Sequence, residues 1–162
     1  MPRIKALFSA VLATAIFFLV SGALPAHAEI LVKVDKASQR MNVVVDGLDF
    51  FSWSVSTGLG GGPRSGTYKP QRMERKWNSR KYGWAPMPYS IFFHEGYAIH
   101  GTIHVKQLGR RASKGCVRLH PEHAAILFNM VQKHGMANTR IVVESRAAAE
   151  RGEAKRKLAR AE

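Results

Sequence analysis

Ile99-His100-Gly101-Thr102 and Ser113-Lys114-Gly115-Cys116-Val117-Arg118-Leu119 are the two segments that decide how this chain of 162 residues reads. Cys116 is its single cysteine. A thiol attacks a carbonyl as thiolate, so it needs a base or a lowered pKa. His100 falls at the end of a predicted strand, where its ring can be held rigidly and aimed at the following loop. Gly115 lets the backbone approach a substrate closely, and the amides of Gly115 and Cys116 can donate to a developing oxyanion. Lys114 and Arg118 add positive potential near the sulfur and are expected to favour thiolate. Arg118 can also grip a substrate carboxylate through two parallel hydrogen bonds. Ser113, Lys114, Arg118 and Tyr89 are the expected substrate contacts.

Outward from these segments the pattern is mostly β. Tyr89-Ser90-Ile91-Phe92-Phe93, a turn at Glu95-Gly96 and Tyr97-Ala98-Ile99 form a hairpin that ends at His100. Nearer the start, Ile30-Leu31-Val32-Lys33-Val34 is rich in branched residues. Apolar runs at 41–45 and 50–55 flank Asp46-Gly47, a strong hairpin turn. Gly58-Leu59-Gly60-Gly61-Gly62-Pro63 reads as a flexible loop, without the Gly-Lys-Ser/Thr ending or following helix of a phosphate cradle. Residues 67–84 are polar, basic and aromatic, an irregular stretch that admits a short strand. Residues 104–114 read as a loop. Pro121 suits the first position of a helix in which Ala124, Leu127, Phe128 and Val131 recur at helical spacing, with Gly135 at its end. Ile141-Val142-Val143 is a last strand. Residues 29–144 thus read as one domain with one clear helix.

The paired motifs resemble those of the L,D-transpeptidase catalytic domain family (YkuD type). That family carries a His-Gly-Thr-like strand end, a loop, and Ser-His-Gly-Cys followed by Val/Ile-Arg-Leu/Met. Ser56-Thr57-Gly58 resembles its early Ser-Thr-Gly strand end, Ser65-Gly66-Thr67-Tyr68 the region after it, and the run from Met87-Pro88-Tyr89 to His100 its approach to the active-site His. There are two departures. Lys114 stands where the family has His, and Pro63-Arg64-Ser65-Gly66 where it has Thr-Pro-x-Gly. The resemblance implies a β-sandwich or half-open barrel with one packed helix. It implies Cys116 as nucleophile, His100 as base, the Gly101 carbonyl as acceptor for the other ring nitrogen of His100, and no cofactor. No Asp or Glu lies between Gly96 and Leu119 to take that orienting place locally.

It further implies an exported enzyme that remodels peptidoglycan. The amide after the L-centre of a diamino acid at position three of a stem peptide would be attacked, D-alanine would leave, and a thioester would hold the acyl group on Cys116. An amine of a second stem peptide would resolve it. An envelope lipoprotein is an alternative acceptor, and water would make the enzyme a carboxypeptidase or amidase. A non-catalytic wall-binding module is a different class, disfavoured because a binder needs no Cys116, His100 and Arg118.

The ends of the chain carry separate expectations. Arg3 and Lys5, an apolar run over 6–20 and the small residues of Ala26-His27-Ala28 compose a secretory signal peptide cleaved after Ala28. The competing reading is an uncleaved anchor, for which the run is short. Cleavage places the product in the periplasm or cell envelope, without stable membrane insertion. The net charge of +14 would become +12. Such a charge often means nucleic acid, but export removes that partner and leaves wall polymers, anionic head groups or a merely solvated surface. A lone cysteine in an exported protein is intermolecular, reactive, or simply a small buried hydrophobe; its neighbours here favour reactive. His100 and His104, and His120 and His123, have helical ligand spacing, but no carboxylate or second cysteine completes a zinc set, so no metal is expected. Residues 145–162 form a charged tail, an exposed helix or a segment without fixed structure.

Overall fold

A computed structural model describes residues 29–145 and Leu158; the expected signal peptide, and the tail apart from Ser145 and Leu158, lie outside the described residues. The strands are β1 (Ile30–Asp35), β2 (Arg40–Val45), β3 (Leu48–Ser54), β4 (Gly66–Tyr68), β5 (Arg72–Glu74), β6 (Asn78–Ser79), β7 (Ala85–Pro86), β8 (Ser90–His94), β9 (Tyr97–Gly101), β10 (Val117–Leu119) and β11 (Thr139–Glu144). Among the described residues one α-helix of regular length, α1, spans Pro121–His134. One sheet has the order β3-β2-β1-β11-β4, a second β10-β9-β8-β5, and β6 pairs with β7 in a small flap. The sheets form a sandwich-like fold and not a closed barrel, as the sequence led us to expect.

The reason is visible in the burial pattern. Ile30, Val32 and Val34 alternate into the interior along β1, with Met41 and Val43 of β2 and Ile141 and Val143 of β11 beside them. Ile91, Phe93, Ile99, Val117 and Leu119 meet them from the second sheet. Each such side chain contributes about 1.5–3 kcal/mol on burial. α1 covers the second sheet with Ala124, Leu127, Phe128 and Val131, one helical face. Pro121 opens it, and Gly135, at φ +94°, closes it by donating to the Val131 carbonyl at 2.8 Å.

The stretch 67–84 holds more order than its composition promises: most of β4, all of β5 and β6, and a 3₁₀ turn at Arg80–Tyr82 before β7. Among the described residues no helix is long and apolar enough to cross a membrane.

Candidate active site

β9 and β10 run parallel, with Ile99 opposite Val117 and His100 opposite Arg118. Side chains alternate along strands. Ile99, Val117 and Leu119 therefore enter the core, while Ala98, His100, Cys116 and Arg118 take the other face. The same alternation that builds the core thus presents thiol, imidazole and guanidinium together. Met87, Phe92, Ala98, Trp77 and Cys116 form a small apolar cluster on that face.

Two cavities meet there. One is lined by His100, Thr102, Ser113, Cys116 and Arg118 below the flap residues Tyr82 and Pro86. The other is lined by Trp77, Phe92 and Tyr97 among others. Ser79, Tyr82, Met87, Lys114 and Cys116 border both.

His100 is buried, and its Nδ1 lies 2.7 Å from the Gly101 carbonyl oxygen. A carbonyl only accepts, so Nδ1 carries the proton and Nε2 keeps its lone pair. Gly101 is itself held, donating to the Pro88 carbonyl at 2.8 Å. A Cβ on it would meet Pro121 Cα at 3.1 Å and Pro88 Cγ at 3.2 Å. Burial pushes the His100 pKa down to about 4; the Gly101 bond opposes this and the facing Arg118 adds to it. The ring is neutral at neutral pH.

The thiol departs from expectation. Burial raises the Cys116 pKa above its ordinary value, against opposing contributions from the Ala98 backbone and Arg118. Desolvation outweighs the nearby cation. Thiol and imidazole are both uncharged at rest, and among the described residues no hydrogen bond joins them. The Lys114 ammonium lies 5.3 Å over the Tyr82 ring, tying the nucleophile loop to the flap, and Lys114 lines both cavities. Arg118 reaches Gln107 Oε1 at 3.3 Å and lines the first cavity.

The loop around Cys116 is fixed from beneath. Ser113 Oγ donates to the Cys116 carbonyl at 2.6 Å and accepts from the Gly115 amide at 3.0 Å. The Gly115 amide is therefore already engaged, which corrects the expectation that it serves an oxyanion. The Cys116 amide has no protein acceptor among the described residues. Gly115 sits at φ +139° with the Tyr97 ring against it, and Gly58 packs on it: a Cβ on Gly58 would stand 2.9 Å from Gly115 Cα. What approaches this glycine closely is the protein itself.

Sequence reasoning missed the support under that contact. Lys36, buried, donates to the carbonyls of Gly61 at 2.9 Å and Pro63 at 2.8 Å. Gln39 bonds Thr57 Oγ1 at 2.7 Å and accepts from the Thr57 amide at 2.8 Å. The Thr57 carbonyl in turn takes the amides of Ala112 and Ser113, each at 3.0 Å. Nothing in the sequence distinguishes Lys36 from a solvated turn lysine.

Tyr89 is placed elsewhere. It lines neither cavity; its ring meets Phe128 edge-on at 5.8 Å, with the Arg75 guanidinium 5.6 Å above it. A left-handed backbone at φ +56° turns it beneath α1. The expected substrate contact there has no geometric support. Among the described residues no group of His, Cys, Asp or Glu is arranged to hold a metal. His123 stacks on Trp53 at 4.9 Å.

The model of the L,D-transpeptidase catalytic domain (YkuD) matches residues 29–143. Among solved structures, the chain is similar to an L,D-transpeptidase from Mycobacterium smegmatis, with 23% identity and a TM-score of 0.63, covering 72% of this chain and 59% of that one. An L,D-transpeptidase from Stackebrandtia nassauensis is 28% identical at a TM-score of 0.62, covering 72% and 55%. L,D-transpeptidase 3 from Mycobacterium tuberculosis, in complex with a faropenem-derived adduct, is 18% identical at a TM-score of 0.63, covering 72% and 60%. The chain thus spans less than two thirds of the length of each of these three. None of the curated proteins matches it.

Proposed function

The chain belongs to the L,D-transpeptidase catalytic domain family, and from that premise we propose that it is a cysteine acyltransferase that remodels peptidoglycan outside the cytoplasm. One observation carries this reading: the β9–β10 register sets His100 against Arg118, with Cys116 on the same face of the same cavity, and Nδ1 of His100 tied to Gly101 so that Nε2 is the free base.

The chemistry follows from two groups that rest neutral. As Sγ of Cys116 attacks the carbonyl of a stem peptide, its proton passes to Nε2 of His100, so no standing thiolate is needed. The tetrahedral oxyanion takes the Cys116 amide as donor. Arg118 holds a carboxylate of the substrate. Collapse breaks the C–N bond, and the leaving amine, D-alanine by family likeness, takes the proton from Nε2. The acyl group remains on Cys116 as a thioester. An incoming amine then gives a proton to His100, attacks the thioester and expels the Cys116 thiolate, which recovers that proton as thiol. A second stem peptide is the proposed amine; a lipoprotein amine would follow the same course, and water would give the carboxypeptidase outcome.

The test is intact-protein mass spectrometry after incubation with a carbapenem, a β-lactam class that traps such thiols as stable adducts by family analogy. A one-to-one adduct on wild type that is absent from Cys116→Ala supports the reading. An equal adduct on both sinks it. Export is tested separately by sequencing the N-terminus of protein from the envelope fraction, where Glu29 is the expected first residue.

A further inference from the structure

His100 lines only one of the two cavities that meet at Cys116. On the acyl-transfer reading above, on which this inference rests, that asymmetry assigns the two sides. The departing amine must receive a proton from His100, and the incoming amine must surrender one to it. Both therefore exchange in the first cavity. The acyl chain stays attached to the sulfur throughout and runs into the second.

The lining of the second cavity is strongly cationic. Arg72, Arg80, Lys81 and Lys114 border it, against one carboxylate, Glu95. Arg72 is partly neutralised by Glu74 at 2.8 Å, and Glu95 has His94 beside it at 3.5 Å. Arg80 lies 5.8 Å from the centre of the Trp84 ring, and Lys81 and Lys114 lie 5.6 and 5.3 Å from the centre of the Tyr82 ring. Among the described residues none of these three has a carboxylate partner. Aromatic contact holds such cations in place without cancelling their charge. Fixed positive charge around an aromatic floor complements a peptide with carboxylates along it.

We propose that the second cavity is the acyl-donor subsite and selects an anionic acyl chain, a peptide whose carboxylates upstream of the scissile bond are free and not amidated. The selectivity is electrostatic and belongs to Arg80, Lys81 and Lys114.

The experiment uses the full chain carrying Cys116→Ala and two synthetic stem tetrapeptides that differ only in whether the carboxylates on the acyl side are free or amidated. Calorimetric titration should show the free form binding about tenfold more tightly at low salt, with the gap narrowing as salt is raised. Arg80→Glu with Lys81→Glu should abolish the gap. Equal affinities, or a gap that survives the charge reversal, overturn the proposal. If the reversed protein does not fold, Arg80→Gln with Lys81→Gln decides it: a reduced gap supports the subsite and an unchanged gap refutes it. Wild-type protein with the same peptides separates the two readings. Charge-selective binding with no thioester at Cys116 would refute acyl transfer while supporting the cavity's preference. Thioester formed equally fast from both peptides would refute the subsite alone.

Discussion

Gly115 lies so close beneath the ring of Tyr97 that a Cβ on it would stand 2.4 Å from Tyr97 Cε1. The glycine beside the nucleophile is thus required by tertiary packing and by its φ of +139°, whatever the substrate. Gly115→Ala should destabilise the fold by about 1–3 kcal/mol through overpacking, with added backbone strain. Pairing it with Tyr97→Leu should recover part of the loss, because the clash is relieved and the strain is not. Denaturant titration measures both. A Gly115→Ala protein as stable as wild type would contradict this packing.

Burial holds His100 at about 4, below the ordinary histidine value of about 6.5. Between those two pH values the unfolded chain binds a proton that the folded chain refuses. Stability therefore falls as pH drops through that window, by about 3 kcal/mol at most from this one group. His100→Asn should lose that part of the pH slope. Comparing urea midpoints of the two proteins at pH 7 and pH 4.5 isolates it; identical differences at both pH values would contradict a buried neutral ring. The acid limb of kcat/KM should likewise fall nearer pH 4 than pH 6.5.

The Cys116 thiol is raised by burial, and Arg118 opposes the rise. Iodoacetamide alkylation of the free enzyme should climb with pH through the range above an ordinary thiol, with no plateau at neutrality. Arg118→Gln should shift that profile further upward. Lys114→Glu should leave it nearly in place, since the cation that acts on the thiol is Arg118. A large shift with Lys114→Glu would return that lysine to the role of tuning the nucleophile.

Lys36 is remote in sequence from Cys116 but supports the loop beneath it. Lys36→Met leaves the carbonyls of Gly61 and Pro63 without their donor. Each orphaned buried acceptor costs about 1–3 kcal/mol. With two acceptors orphaned we expect a loss of about 2–6 kcal/mol and a fall in kcat larger than any rise in KM, because the substrate side of the cavity is untouched. Steady-state kinetics on a stem-peptide substrate would check it. A KM effect alone would place Lys36 elsewhere in the mechanism.

Much of this site could be read beforehand, because strand alternation is written in the residues. Ile99-His100-Gly101 and Val117-Arg118-Leu119 each set a polar side chain on the face opposite residues that belong in the core, Glu95-Gly96 marks the turn into β9, and Asp46-Gly47 the turn between β2 and β3. The helix followed from its apolar spacing. Residues 67–84 did not yield, since strands of two or three residues have no periodicity to detect. The charge state of the thiol was also beyond reach: it is a contest between burial and Arg118, and only the fold sets the burial. Tyr89 misled for a related reason, because its left-handed backbone, which turns it beneath α1, is not a property of tyrosine.

The parallel pairing of β1 with β11 joins Ile30 to Thr139 in the middle of the larger sheet. Nearly the whole domain must therefore be looped out before that ladder can close, and the loop entropy is spent before any of its hydrogen bonds form. Long-range pairings of this kind make folding slow. While residue 139 is still missing, β1 has a neighbour on only one side, and the sheet is held open as two halves. Completion of the fold is then a late event that waits for the last strand, so truncations that stop short of β11 should leave an open-edged, aggregation-prone intermediate in place of a smaller version of the domain.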